Sequence, residues 1–144
     1  MVAILHHSNL VGRHRTLGVA ASLVAISAFG GTLGLASGSL TLGEKVAARL
    51  PFHSPVFGGI ALAMIVGVPY TVLSLWAWRG DQRSARTAVL AGVALLGWLV
   101  VELAFIREFS YFHVIYGVIG LAFAISGRAG ARLGSADRVA SAQE

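Results

Sequence analysis

Four blocks of apolar residues, each close to the roughly 20 needed to cross a hydrocarbon core, divide this chain at about residues 16–37, 55–78, 87–106 and 111–127. The joints between the last three are the short stretches "RGDQRSAR" and "REFS". Connections that short force neighbouring segments to run antiparallel. Composition agrees: 56% of the 144 residues are hydrophobic and only 12% are charged, whereas a soluble domain averages about a quarter charged. So few charges could not cover the surface of a soluble fold. The expected fold is an all-α, polytopic membrane protein: one antiparallel bundle of four transmembrane helices, spanning 1–144 with no separate soluble domain.

The net charge of +5 and a pI near 10.8 would suggest nucleic acid in a soluble protein. Here the basic residues sit in the joints, where membrane topology accounts for them, and no nucleic-acid partner is expected. Arg13, Arg15, Arg79, Arg83, Arg86, Arg128, Arg132 and Arg138 fall on one side, and Lys45, Arg49 and Arg107 on the other. Eight against three places both termini in the cytoplasm by the positive-inside bias. Trp76 and Trp78 then mark the inner interface, and Phe109, Tyr111 and Phe112 the outer one. The opening "MVAILHHSNLVGRHR" does not read as a signal peptide, because its arginines follow its apolar residues. Heavy use of Ala, Gly, Val and Arg with a single Lys suggests a bacterial source and its cytoplasmic (inner) membrane.

The outer loop "SLTLGEKVAARLPFHS" is the longest connection. Thr41 and Glu44 match a capping box, so it reads either as a short surface helix ended by Pro51 or as an irregular loop. The tail after Gly127 is expected to be frayed or partly helical. Small residues recur every four positions on each span: Gly30, Gly34 and Gly38; Gly59, Ala63 and Gly67; Ala88 and Gly92; Gly120 and Ala124. Such rows let backbones approach closely. They serve either a homo-oligomer face or packing within the bundle, and their presence on every span favours the second. Pro69 removes a backbone hydrogen bond and predicts a kink near 65–69, with Thr71 or Ser74 as compensating donors.

Cysteine is absent, which excludes disulfides, thiolate metal sites and thiol nucleophiles. No serine elbow, phosphate loop or paired acids appears, so an enzyme is not the first expectation and no cofactor is named. The feature that demands explanation is Glu102, the one acidic residue inside a span. It lies one turn, about 6 Å, below Ile106. A carboxylate there costs a few kcal/mol unless it faces the bundle and finds a partner. Folding back through "REFS" sets it level with His113 to Tyr116, with Trp98 on its own face, Arg107 at the turn and His53 at the same outer level.

Three readings of this cluster stay open. Glu102 is a polar clasp between spans three and four; or Glu102, His113, His53, Arg107, Tyr116 and Trp98 form a site for a lipid or quinone head group; or two histidines and a carboxylate hold a metal, which their spacing does not support. His6, His7 and His14 read as solvated residues of a flexible leader.

The stretches "LPFHSPVFGGIALAMIVGVP" and "GWLVVELAFIREFSYFHVIYGVIGLAFA" resemble a group of small uncharacterised bacterial four-helix membrane proteins, which implies four spans and inner-membrane residence. The rhythm of "GGIALAMIVG" and "RSARTAVLAG" is distantly similar to DoxX-like proteins, which implies a membrane redox or detoxification partnership. The first span departs from that pattern, ending "GTLGLASGSLTLGEK". The leading functional expectation is a non-enzymatic membrane subunit that binds a partner or a hydrophobic ligand at its outer rim. The alternatives are a redox or lipid-modifying protein and an oligomeric transporter subunit.

Overall fold

The computed structural model describes the backbone of residues 2–40, 54–107 and 109–141, and the side chains of 12, 14–40, 54–105, 107 and 109–132. Four helical rods make up these residues, with no strand among them. The first is α1 (Val2–Ser37). The second is built of α2 (Pro55–Leu62), a π turn (Ala63–Gly67) and α3 (Val68–Trp78) without a break. The third and fourth are α4 (Arg83–Ile106) and α5 (Tyr111–Ser141). Each contains a segment of 22 to 24 residues that is long and apolar enough to cross a membrane. At about 1.5 Å per residue these segments match a hydrocarbon core of roughly 30 Å. The all-α four-helix bundle read from the sequence is the observed architecture.

The helices run past the apolar blocks at both chain ends. α1 is already helical at Val2 and α5 stays so to Ser141, so the leader is helical where a flexible segment was expected, and of the two forms expected for the tail, frayed or partly helical, it takes the helical one. Hydropathy marks where lipid ends, not where a helix must. Once a span has nucleated, each further residue adds one hydrogen bond at little cost. The loop read as either a short surface helix or an irregular connection, with Thr41, Glu44, Lys45, Arg49 and Pro51, lies outside the described residues, as does Glu108.

Turn chemistry sets the joints. Gly80 adopts φ 65° after α3, Asp81 N–H donates to Trp76 O and Gly80 N–H to Ala77 O, the two bonds of a Schellman ending. Asp81 Oδ1 then accepts from Arg83 N–H at 2.8 Å and opens α4, while the Arg83 guanidinium lies 5.3 Å from the Trp76 ring. At the other end, Arg107 takes up the left-handed region at φ 53° and donates its N–H to Leu103 O. The tight hairpin expected from "REFS" is made this way.

Ahead of Pro69 the α register breaks into a wider turn. An α register would drive the proline ring into the carbonyl of Ile65, four residues back. The preceding five residues therefore open into a π turn, with Val68 N–H reaching Ala63 O. Thr71 Oγ1 donates to Gly67 O at 2.8 Å. Ser74 turns elsewhere: its hydroxyl meets Ser22 Oγ of α1 at 2.7 Å. Ser22 donates to Gly18 O at 2.8 Å, and Trp78 Nε1 reaches Ser22 Oγ at 3.4 Å. Nearer the other end, Thr32 Oγ1 donates across to Gly59 O at 2.8 Å. These two hydroxyl bridges hold α1 to the second rod without any charge.

The core gathers Ala21, Val24, Ala25 and Ala28 of α1, Val66, Tyr70 and Leu73 of the second rod, Ala88, Ala91 and Leu95 of α4, and Phe123 of α5. Tyr70 is fully buried and meets Phe123 edge-on at 4.9 Å. Its hydroxyl has no hydrogen-bond partner among the described residues. A buried, unmatched hydroxyl costs about 1–3 kcal/mol, so Tyr70→Phe is expected to leave the unfolding midpoint in detergent unchanged or to raise it. A fall in the midpoint would show that the hydroxyl is satisfied in the native state.

The small-residue rows divide by function. Gly92 lies on the backbone of Gly120 and Ala124, and Gly127 on that of Ala85 and Val89, so α4 and α5 pack backbone against backbone along their length. Gly59 lies against Thr32, and Gly67 under the Phe29 ring. These rows pack the bundle internally, as favoured. The row on α1 behaves differently. Gly30 faces open space, Gly34 is covered by Leu40 just past the end of the same helix, and Gly38 is a left-handed helix stop at φ 74°. Spacing alone could not separate a packing glycine from a capping one. Outside the core, Leu23, Ile26, Leu33 and Leu90 are all more than half exposed, on faces that only an apolar solvent would cover without penalty.

Candidate functional site

The α4–α5 turn builds the site. Ser110 stands just before α5, and His113 in its first turn donates its N–H to Ser110 O at 3.0 Å. The imidazole reaches back: His113 Nδ1 accepts the Ser110 N–H at 3.1 Å. This is the back-reaching half of a capping box, with histidine in the place where glutamate or glutamine usually stands. The bond also assigns the tautomer. A ring nitrogen that accepts carries no proton, so the neutral imidazole bears its hydrogen on Nε2.

That Nε2–H points toward Glu102. The nearest carboxylate oxygen, Oε2, is 4.0 Å away, which is ion-pair range but too long for a hydrogen bond. The His113 side chain is only 9% exposed and that of Glu102 33%. Nε2 is covered and has no hydrogen-bond partner among the described residues. Phe109 stacks on the imidazole at 5.9 Å with 21° between planes, closing one side with an apolar wall. A donor of fixed direction thus faces an acceptor across a short gap. The carboxylate side is open to the surroundings and the imidazole side is held.

The other expected members are placed as follows. Tyr116 sits one turn deeper and donates its hydroxyl to Ser27 Oγ of α1 at 3.0 Å. Ser27 in turn donates to Val24 O at 2.8 Å. Tyr116 therefore ties α5 to α1 and does not approach Glu102 by its hydroxyl. Trp98 is partly buried and packs against the core, one turn below Glu102 on α4. Arg107 is exposed and serves the turn by its backbone; its side chain makes no hydrogen bond or ion pair with a described residue. His53 lies outside the described residues. The structure thus brings Glu102 and His113 together, while Trp98 and Tyr116, each one turn deeper on its helix, are engaged with the core and with Ser27.

Among the described residues no three His, Cys, Asp or Glu side chains gather as a metal set. Glu102 and His113 offer two ligands, and a tetrahedral zinc site takes three or four from the protein. His14 has Nδ1 buried without a partner, but it stands on α1 with no second ligand type beside it among the described residues. Sequence reasoning missed Ser110, Ser27 and Phe109. Ser110 was recoverable, since a serine three residues ahead of a polar side chain at a helix start is a capping signal. Ser27 was not, because a serine on an apolar span bonds its own helix unless a neighbour happens to lie opposite.

Fold and site together define a class: a four-helix bundle of membrane-spanning length, with one Glu–His pair near one end of its closest helix hairpin. Comparison with known protein families, with characterised proteins and with solved structures finds no match. The resemblance to DoxX-like proteins and to the small bacterial four-helix group therefore rests on the quoted stretches alone.

Proposed function

We propose that this chain is an integral protein of the bacterial cytoplasmic membrane, with four spans and both termini inside, that binds a hydrophobic small molecule or a membrane partner at its outer rim. The ligand class is a lipid or quinone head group, and Glu102 and His113 are its polar anchors. One observation carries the reading: a nine-tenths-buried imidazole, with its Nε2–H direction set by the Ser110 bond, finds among the described residues no acceptor closer than a carboxylate 4.0 Å away. Buried donors are normally matched. A ligand reaches this one when the Glu102 side chain, partly exposed and held by no direct hydrogen bond to His113, turns aside. The orientation rests on the arginine distribution, which puts the Glu102 end outside.

A second reading has an observation of its own. Glu102 and His113 come from neighbouring helices and stand within ion-pair distance, so they also suit a clasp that pins α4 to α5. Native mass spectrometry of protein released from its own membrane separates the two. For a ligand site, wild type carries a bound small molecule that Glu102→Gln loses, with little change in thermal stability. Bare protein in both samples, with Glu102→Gln clearly less stable, would overturn the ligand reading and leave the clasp.

A further inference from the structure

The opposite end of the α4–α5 hairpin carries a separate feature. A groove of ≈ 230 Å³ runs along one face of α5, lined by Ile125, Arg128, Ala129 and Arg132. Offsets of three, four and seven place these residues on a single stripe. Both arginines are exposed, and Ala129 between them leaves the groove a low floor. Ile125, one turn nearer the middle of the span, is 56% exposed and supplies an apolar wall. Gly127 lies directly on Ala85 and Val89. That contact sets Arg128 level with the first turn of α4, where Arg86 is exposed and the helix N-terminus adds partial positive charge.

We infer that this groove binds the phosphate of an anionic phospholipid, with Arg128 and Arg132 on the head group and an acyl chain along Ile125. A guanidinium takes two phosphate oxygens at once. Arg132 already has a partner within the chain, and five N–H donors leave it capacity for a second. Charge selects the lipid. Asp81 is the acidic side chain described at this end, and its Oδ1 is engaged by Arg83 N–H at 2.8 Å. Among the described residues no carboxylate lines the groove to receive the ammonium of a zwitterionic head. The partly apolar lining fits a lipid better than a free phosphate ion. None of this depends on Glu102, which lies at the far end of α4.

The test is native mass spectrometry of the full chain from nanodiscs holding equal phosphatidylglycerol and phosphatidylcholine. Three proteins are compared: wild type, Arg128→Gln/Arg132→Gln, and a control of equal charge change at the same end, Arg15→Gln/Arg79→Gln. The expected result is selective retention of phosphatidylglycerol by wild type and the control. The groove variant should lose it by about tenfold, the scale of one or two charge-assisted hydrogen bonds. Equal loss in both variants would mean diffuse surface charge and overturn the site. Wild type with no preference between the lipids would do the same. Displacement of the bound lipid by millimolar inorganic phosphate would make the groove an ion site and overturn the lipid assignment.

Discussion

Replacing Gly92 by valine is expected to cost about 3 kcal/mol or more of bundle stability, at the upper end of overpacking penalties. A Cβ at this position would stand 2.5 Å from Gly120 O and 2.7 Å from Ala124 N. Both are backbone atoms, so no side chain can swing away to make room. The helices themselves must part, and with them the extensive contact between α4 and α5. Gly97 on the same helix is the control: a Cβ there meets nothing within 4 Å, and Gly97→Ala should be neutral or slightly stabilising. Thermal unfolding of both variants in one detergent decides the matter. Comparable stability of Gly92→Val and Gly97→Ala would mean that the close α4–α5 contact is absent.

The second large effect belongs to His113, where two roles can be told apart by choice of substitution. His113→Leu removes the acceptor for the Ser110 N–H and the donor facing Glu102 together. Loss of a helix cap costs about 0.5–2 kcal/mol, and any ligand held by Nε2 should be lost outright. His113→Gln is different. Glutamine three residues after a serine completes an ordinary capping box, so its amide oxygen can take over the Ser110 N–H while the imidazole is gone. The expected pattern is a stability loss with leucine that glutamine largely restores, and loss of bound ligand with both. If glutamine restored neither, His113 would act through packing against Phe109. If glutamine kept the ligand, Nε2 would not be the anchor.

Much of this was legible in the sequence because the bilayer imposes simple rules. Four apolar blocks and two short joints dictate four antiparallel helices, whatever their side chains touch. Glu102 was conspicuous for the same reason: a lone acid in a span has to face a partner, and the short "REFS" turn left His113 as a neighbour on the returning helix. The wider cluster was less legible. Level along the membrane normal can be counted from the turn at 1.5 Å per residue, but azimuth around each helix cannot be counted without knowing the packing. Tyr116 and Trp98 were at the right depth, yet Tyr116 is committed to Ser27 of α1 and Trp98 to the core.

The glycines make the same point from the packing side. Gly34 and Gly92 stand in equally regular four-residue rows. One lies beneath Leu40, just past the end of its own helix, and the other against a neighbouring backbone, and no local signal distinguishes them. The π turn before Pro69 is an intermediate case, where proline dictated a break in register and the packing of Tyr70 and Val66 into the core chose its form. By itself, then, the sequence determined what hydropathy and chain connectivity control: class, helix number, pairing of consecutive helices and the depth of each polar residue. Only the tertiary structure decided which depth-matched residues meet, how the imidazole of His113 is oriented, and which hydroxyls bridge helices. Those outcomes depend on rotation about helix axes, which is set by close contacts between residues far apart in the chain.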